Sequence, residues 1–397
     1  MAADGPGGGI DEQMLEELLA EAHEASPTDL PVLVSRLAPL VGVERVDLYL
    51  VDLQQRLLVP LVDGLPPLDI DSTMAGRAYR TLGLRMEETR HERLVTWLPL
   101  VDGAERLGVL GVTAVDVDTA LRRRCRILAS LLSMVVVSKR EYSEDFARRT
   151  RLETMRLPAE LLRAFLPPRT IANRHATSTA VLEPAYRLGG DAFDHSLTGS
   201  TLHAVILDAM GHDLSAGLAT AVAMAACRSA RRADADLPEM VGTIDRALAR
   251  WLPEQYCTGI LARLDTDEGI LRWCNCGHPP PLLIRDERVL EEALERTPEP
   301  PMGMPSELFA SPRTLHEERL RPGDRVLLYT DGVTESRIVG DVEFGLERFT
   351  DTIIRATAAG TMPAEALRQL IHSLLARQRD VLRDDATLVL VEWKPER

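Results

Sequence analysis

The feature that most constrains the fold is an aspartate set at the end of an apolar run, which recurs through the second half of the chain. The run 203–207, for example, stops at Asp208, and the run 325–330 stops at Asp331. Short apolar runs bounded by Gly and Asp are typical of buried β-strands. The aspartates in question are Asp191, Asp208, Asp331 and Asp384, the last followed by Asp385. We therefore expect several strands to present carboxylates at their tips.

Carboxylates gathered in one cleft repel one another and raise each other's pKa, so such a cluster is stable only around cations. Mg²⁺ and Mn²⁺ prefer carboxylate ligands and retained waters, and no clustered His or Cys ligands in the sequence favour zinc. The residues by themselves thus predict a two-metal hydrolytic site.

Length and composition narrow the class of protein. A chain of 397 residues with 45% hydrophobic content predicts about two domains with ordinary cores. A net charge of -15 argues against a general nucleic-acid partner, since phosphate backbones require basic surfaces. The longest largely apolar run, 127–137, is too short for a membrane span. With no export signal at the start, we expect a cytoplasmic protein. Five scattered cysteines predict buried, reduced thiols.

The first part of the chain predicts a disordered, Gly-rich start and an N-terminal helix within residues 1–25, followed by a domain over 26–138. In that domain helices flank strands, and Asp102-Gly103 marks a hairpin turn. This order, with the helix-forming segment 72–80, resembles a GAF sensor domain. The resemblance implies a small-molecule or protein signal, although no cofactor-anchoring residue stands out.

A helical linker is predicted over 139–168, with Pro158 kinking or restarting the helix and Pro167-Pro168 ending it. Two interpretations stay open, because a charged helix pair could relay a signal between domains or serve only as a solvated spacer. We expect the linker and the sensor domain to form a homodimer, although the apolar stripe is interrupted.

Residues 169–394 alternate predicted strands and helices, and they contain five motifs in order. The motifs are Gly189-Gly190-Asp191-Ala192-Phe193-Asp194, Asp208-Ala209-Met210-Gly211-His212, Asn275-Cys276-Gly277-His278-Pro279-Pro280-Pro281, Tyr329-Thr330-Asp331-Gly332-Val333-Thr334-Glu335 and Asp384-Asp385-Ala386-Thr387. Together they closely resemble the bacterial metal-dependent (PPM-type) Ser/Thr protein phosphatases of the stage II sporulation protein E type.

The resemblance implies an α+β chain whose C-terminal domain is an α-β-β-α sandwich. It also implies two Mn²⁺ or Mg²⁺ ions, with Asp208 bridging them and with Asp208 and Asp191 as the catalytic residues. The ligands carried over by the motifs are Asp191, Asp208, the backbone carbonyl of Ala209, Asp331 and Asp384. A metal-held water would attack phosphoserine or phosphothreonine, and the substrate would be a phosphorylated anti-sigma-factor antagonist.

Some assignments stay open. Asp213 replaces the glycine usual in the family and either caps the following helix or adds a third-metal ligand. His278 acts either as a structural hydrogen-bonding group or as a general acid. Asp194 and Asp385 are interpreted as supporting or turn residues. The competing function is a catalytically degenerate domain that serves as a signalling scaffold or small-molecule sensor, against which the retention of four clustered acids argues.

Overall fold

The structure is a computed structural model that describes residues 16, 19–89, 92–211, 213–290, 292–297, 299–304, 313–334, 337–338, 342–343, 346–377 and 384–395. The chain divides into two compact units, Met1–Glu153 and Thr154–Arg397, which are described separately. The Gly-rich start and most of the first predicted helix lie outside the described residues; residues 19–24 are helical.

The first unit contains an antiparallel sheet whose strands run in the spatial order β3-β2-β1-β6-β5-β4. Its strands are β1 (Arg45–Val51), β2 (Leu57–Pro60), β3 (Leu68–Asp69), β4 (Arg85–Glu88), β5 (Leu94–Asp102) and β6 (Glu105–Ala114). The hairpin predicted at Asp102-Gly103 is present, with Asp102 paired to Glu105. The sequence patterns missed β3 and β4, because neither short segment shows an alternating apolar face.

Helices cover both faces of this sheet. They are α1 (Leu30–Val41), preceded by the 3₁₀ turn Pro27–Asp29, α2 (Met74–Thr81) and α3 (Thr119–Arg140). Helices α1 and α3 pack with Leu48, Leu98 and Leu110 in one cluster, whereas α2 packs on Tyr49 and Trp97 in another. Lys139, near the end of α3, is buried, and its ammonium group donates to the carbonyl of His23.

The predicted linker contains two short helices, α4 (Asp145–Thr150) and α5 (Leu157–Arg163). Helix α4 lies in the first unit and buries Phe146, while α5 lies in the second. Pro158 occupies the first turn of α5, where its missing N–H costs nothing. The proline therefore restarts a helix, one of the two outcomes predicted for it.

The second unit is built on two antiparallel sheets. The front sheet, in the order β15-β12-β11-β10-β9, consists of β9 (Asp191–Thr198), β10 (Thr201–Ala209), β11 (Cys257–Asp265), β12 (Ile270–Cys276) and β15 (His316–Arg319). The back sheet, in the order β14-β13-β16-β19-β8-β7, consists of β7 (Thr170–Ala172), β8 (Ala176–Glu183), β13 (Leu282–Arg285), β14 (Arg288–Leu290), β16 (Arg325–Tyr329) and β19 (Ala386–Trp393). A separate small ribbon pairs β17 (Arg337–Ile338) with β18 (Val342–Glu343).

Helices cover the outer faces of both sheets. They are α6 (Leu214–Arg232), α7 (Leu237–Trp251), the short α8 (Asp331–Thr334), α9 (Leu346–Ala358) and α10 (Pro363–Arg377). One cluster, containing Phe193, Ile206 and Val389, fills the space between the sheets. Two further clusters join α6 and α7 to the front sheet, and α9 and α10 to the back sheet. This is the α-β-β-α sandwich that the resemblance implied.

All five cysteines are free and buried, as predicted from their scattered positions. None of the helices among the described residues has the length and apolarity required to cross a bilayer.

Candidate metal centre

The β9–β10 hairpin carries the first two candidate ligands. Asp191 begins β9 and Asp208 lies near the end of β10, and the two residues are direct partners in the antiparallel register. Directly opposite residues in such a pair place their side chains on the same face. The hairpin therefore brings together two carboxylates that the sequence predicted at neighbouring strand tips.

Gly190 is required for a different reason from the one the sequence suggests. Two consecutive glycines before Asp191 predict a tight turn, yet neither Gly189 nor Gly190 has a positive φ. Instead, a Cβ atom added at Gly190 would overlap the carbonyl oxygen of Ala209 and crowd that of Gly211. The glycine thus permits the backbone before Asp191 to lie directly against the backbone after Asp208.

Asp331 and Asp384 approach from the other sheet. Asp331 begins α8 after β16, and Asp384 precedes β19. With Asp208 they border a cavity of about 440 Å³, whose lining residues are Asp208, Ala209, Met210, Gly211, Tyr256, Thr258, Asp331 and Asp384. Four of the five predicted ligands therefore line one cavity, and Asp191 lies beside it as the strand partner of Asp208.

Asp191 is almost completely buried and is fixed by two hydroxyl groups. Its Oδ2 accepts hydrogen bonds from Thr330 Oγ1 at 2.8 Å and Thr387 Oγ1 at 2.7 Å. Burial, followed by the nearby charges of Asp208 and Asp385, raises the pKa of Asp191 well above its usual value. The position is therefore electrostatically costly for an anion unless a cation lies nearby.

Asp208 shows the same effect from the side of the cavity. Burial and then the charges of Asp331 and Asp384 raise its pKa to about 7, while a hydrogen bond with Asp191 acts in the opposite direction. Mutual repulsion of this kind is what a bound divalent ion would relieve.

The donor set fits hard divalent ions. Carboxylates around a roomy cavity suit Mg²⁺ or Mn²⁺, which keep several waters, better than a metal that needs a closed protein cage. In the described parts of the chain, no three His, Cys, Asp or Glu side chains are already close enough together to hold a metal ion. Asp191, Asp208, Asp331 and Asp384 are the residues that would hold the ions.

His278 lies behind the cavity and does not line it. Its ring is buried, and its Nδ1 lies 2.9 Å from Thr258 Oγ1, a group of the cavity wall. Burial lowers the pKa of His278 to about 4, only partly opposed by the backbone of Tyr329, so the ring is neutral near pH 7. Asn275 further fixes the turn, accepting from the His278 amide at 2.9 Å. This geometry favours the structural interpretation of His278 over a general acid.

Asp213 caps helix α6, which was one of its two predicted roles. Its Oδ1 accepts from the amides of Ser215 at 2.9 Å and Ala216 at 3.1 Å. These are the bonds expected of an N-cap aspartate. His212, its neighbour in the second motif, lies outside the described residues.

Sequence reasoning treated Asp385 as a supporting residue and missed the two threonines that hold Asp191. Asp385 Oδ2 accepts from three consecutive backbone amides, those of Gly189, Gly190 and Asp191. Thr330 and Thr387 were visible as members of two motifs, but only the fold shows that both hydroxyls reach one carboxylate oxygen.

The fold and this cavity are those of a phosphatase domain of the PPM class. Residues 198–394 match the family model of stage II sporulation protein E (SpoIIE). The second unit of the chain is accordingly a SpoIIE-type phosphatase domain, as the motifs implied. The match does not extend to the first unit, where the GAF resemblance stays a prediction.

Individual relatives are distant. The chain is 26% identical over 136 residues to Protein IcfG of Synechocystis sp., a match covering 34% of this chain and 20% of that protein. The chain thus matches about a fifth of the length of this curated relative.

Two solved structures are similar to the second half of the chain, and the first of them supports the fold. The SiaA-PP2C domain of Pseudomonas aeruginosa has a TM-score of 0.51 and 22% identity, with 59% of this chain and 94% of that chain covered. The RsbU and RsbW domains of a Mycobacterium tuberculosis protein have a TM-score of 0.47 and 24% identity, with 58% and 63% covered.

Proposed function

We propose that this protein is a metal-dependent protein serine/threonine phosphatase with two Mn²⁺ or Mg²⁺ ions. The observation that carries the proposal is the convergence of Asp208, Asp331 and Asp384 on one cavity of a SpoIIE-type domain, with Asp191 beside it. The raised pKa of Asp208 and Asp191 gives this arrangement an electrostatic reason to bind cations. A scaffold would gain nothing from keeping four acids together.

When bound, such ions supply a hydroxide nucleophile at neutral pH and offset charge on the phosphoryl oxygens. The protein's own residues would hold these ions. Asp208 would help to hold both ions, since it lines the cavity with Asp331 and Asp384 and is the strand partner of Asp191. Asp191 is fixed through Oδ2 by Thr330 and Thr387, and its carboxylate would be the ligand contributed by the start of β9. The carbonyl of Ala209 completes the proposed ligand set.

We further propose that the substrate is a small phosphoprotein, a phosphorylated anti-sigma-factor antagonist, and that the first unit acts as a GAF-like sensor controlling the phosphatase. The support is the SpoIIE-type character of the second unit and the helix-flanked antiparallel sheet of the first. A homodimer formed through the sensor and linker remains part of this proposal.

The test is phosphate release from a phosphoserine protein and from p-nitrophenyl phosphate, with Mn²⁺, with Mg²⁺ and with EDTA. We expect metal-dependent turnover in the intact chain and a loss of at least about 100-fold in Asp208→Asn and Asp331→Asn. Asp351→Asn is the matched control, because Asp351 is an exposed member of a surface ion pair on α9.

Outcomes separate the two candidate functions. Turnover of both substrates that survives EDTA, or that is unaffected in both variants, contradicts the metal centre. If the intact chain binds Mn²⁺ but hydrolyses neither compound, and Thr154–Arg397 behaves likewise, the scaffold function replaces the phosphatase.

A further inference from the structure

We infer that Asp385 is the positioning residue that assembles the proposed metal centre, by fixing three ligand-bearing segments to one another. This inference rests on the ligand assignment of the proposed function. It gives Asp385 a task distinct from that of Asp384, its neighbour in the same motif.

The first segment held by Asp385 is the backbone that leads into Asp191. A single oxygen, Oδ2, accepts from the amides of Gly189 at 2.7 Å, Gly190 at 2.9 Å and Asp191 at 3.2 Å. Successive amides converging on one point form an anion-binding concavity, and a carboxylate is the natural occupant. These bonds link residues about 195 positions apart in the chain, so no local structure could replace them.

The second segment is the one that carries Asp331. An added Cβ at Gly332 would overlap the carbonyl oxygen of Asp385, which shows that the two backbones touch. Thr330 Oγ1 lies 3.5 Å from the same carbonyl oxygen and also donates to Asp191. The backbone of Asp385 therefore meets the Asp331 segment, while its side chain meets the Asp191 segment.

The third segment is the one that contains Asp385 itself, together with Asp384. Asp384 is exposed and lines the cavity, whereas Asp385 is buried and does not. The Asp385 amide donates to Asp384 Oδ1 at 2.9 Å, which steadies the outward carboxylate. The two consecutive aspartates thus have different roles. Asp384 lines the cavity, whereas Asp385 is buried and accepts hydrogen bonds from backbone amides.

This division predicts different consequences for loss of charge and loss of hydrogen bonds. Asp385→Asn keeps an oxygen that can accept from the three amides but removes its negative charge. The three hydrogen bonds should therefore persist but be weaker. Asp385→Ala leaves all three buried donors without a partner, the more damaging change. If Asp385 were itself a metal ligand, both variants would lose metal affinity alike, as Asp384→Asn should.

The experiment measures hydrogen exchange of the peptide spanning 186–192 in the metal-free full chain, and Mn²⁺ affinity by calorimetry. Asp52→Ala is the matched control. Asp52 is also buried, and it too accepts from three backbone amides, those of Gln54, Arg56 and Leu57, but in the first unit.

We expect Asp385→Ala to speed exchange in 186–192 at least tenfold and to weaken Mn²⁺ binding at least tenfold, with Asp385→Asn intermediate in both. Asp52→Ala should change neither. Exchange that is unchanged in Asp385→Ala overturns the inference, as does equal loss of Mn²⁺ affinity in both variants without faster exchange. If Asp385→Ala does not fold, Asp385→Asn decides, because its exchange must then rise at least threefold.

Failure of the inference and failure of the proposed function look different. A wild-type chain that binds no Mn²⁺ contradicts the proposed function, yet the exchange measurement still tests whether Asp385 holds the 189–191 backbone. A chain that binds Mn²⁺ with normal exchange in Asp385→Ala keeps its function and refutes the inference.

Discussion

Asp191 and Asp208 are partners on two paired strands, and their protonation controls what the site can bind. Burial together with the surrounding acids raises the pKa of both carboxyl groups and so favours keeping a proton between them. A metal ion and this proton compete for the same oxygens. The affinity of the site for cations is therefore tied to pH in the range where Asp208 titrates.

This competition gives a pH prediction for metal binding. Because the pKa of Asp208 is raised from its usual 3.8 to about 7, its ionisation lowers the stability of the metal-free folded protein progressively as pH rises from about 4 to 7, and a bound cation would reverse that cost. Lowering the pH from 8 to 6 should weaken Mn²⁺ binding roughly tenfold, the effect of one competing proton. Calorimetric titration at both pH values measures the change.

Two variants check the assignment of that proton. Asp208→Asn should remove most of the pH dependence together with most of the affinity. Asp213→Asn should preserve both, because Asp213 caps α6 and Asn is an equally good N-cap residue. Equal Mn²⁺ affinity at pH 6 and pH 8 in the wild type would show that Asp208 does not exchange a proton for the metal.

For individual residues, the sequence predicted which side chains form the site better than it predicted what each of them does. The carboxylates at strand ends could be predicted as metal ligands, because a bound cation is the general way to offset the repulsion among them. The purpose of Gly190 and of Asp385 could not be predicted, because both depend on contacts between backbones distant in the chain. Spacing along a sequence carries no information about such approaches.

At the scale of elements, helix α6 is joined to strand β9 by a buried ion cluster. Asp194, 2% exposed in its side chain, accepts from Arg228 at 2.6 Å and Arg231 at 2.8 Å. Arg228 also donates to the carbonyl of Phe165 at 2.7 Å. The strand that begins with Asp191 is thereby fixed, three residues further on, to the C-terminal part of the helix capped by Asp213.

Breaking this cluster should be costly for the fold. Asp194→Asn leaves two largely buried guanidinium groups without their anion, and we expect the free energy of unfolding to fall by about 3 kcal/mol. Urea unfolding of Thr154–Arg397 or of the full chain measures it. By contrast, Asp351→Asn breaks the exposed pair with Arg355, 62% and 81% exposed, and should have almost no effect. If the free energy of unfolding falls by a similarly small amount in both variants, Asp194 does not stabilise the fold as expected.

Elements with a strong pattern were predicted well. Apolar residues at helical spacing over 29–41 predict a helix, and α1 spans Leu30–Val41. The sequence likewise predicts a helix over 74–81 after Ser72-Thr73, and α2 spans Met74–Thr81; here Thr73 is the N-cap and accepts from the Gly76 amide at 3.0 Å. The acidic segment 285–301, with its Pro-rich end, predicts a surface excursion, but it contains strand β14, which pairs with β13 and is too short for its alternation to stand out.

At the scale of the whole molecule, each unit has cores of its own. Among the residues that the structure describes, each hydrophobic cluster is composed of residues from one unit. The domain limits predicted at 138 and 169 bracket the division at Glu153, and the linker assignment itself stays a prediction. Independent cores are the condition under which a domain folds by itself.

Thr154–Arg397 expressed alone should therefore fold cooperatively and retain metal-dependent hydrolysis of p-nitrophenyl phosphate within about threefold of the full chain's basal rate. Near-ultraviolet circular dichroism and a single sharp thermal transition measure folding, and Asp208→Asn in the same fragment is the negative control. A fragment that binds hydrophobic dyes and melts without cooperativity would show that its cores need the first unit.

The position of β19 in the back sheet has a consequence for biosynthesis. This strand lies between β8 and β16. During synthesis, β8 (Ala176–Glu183) therefore lacks this neighbour until β19 (Ala386–Trp393) has been made. During translation the β9–β10 hairpin can form from adjacent residues, while the back sheet cannot close until residue 393 has left the ribosome. Asp384 and Asp385 arrive with that last strand. A nascent chain thus carries half of its acidic cluster early and completes it only once β19 has been made, which would postpone metal capture until the sandwich is whole.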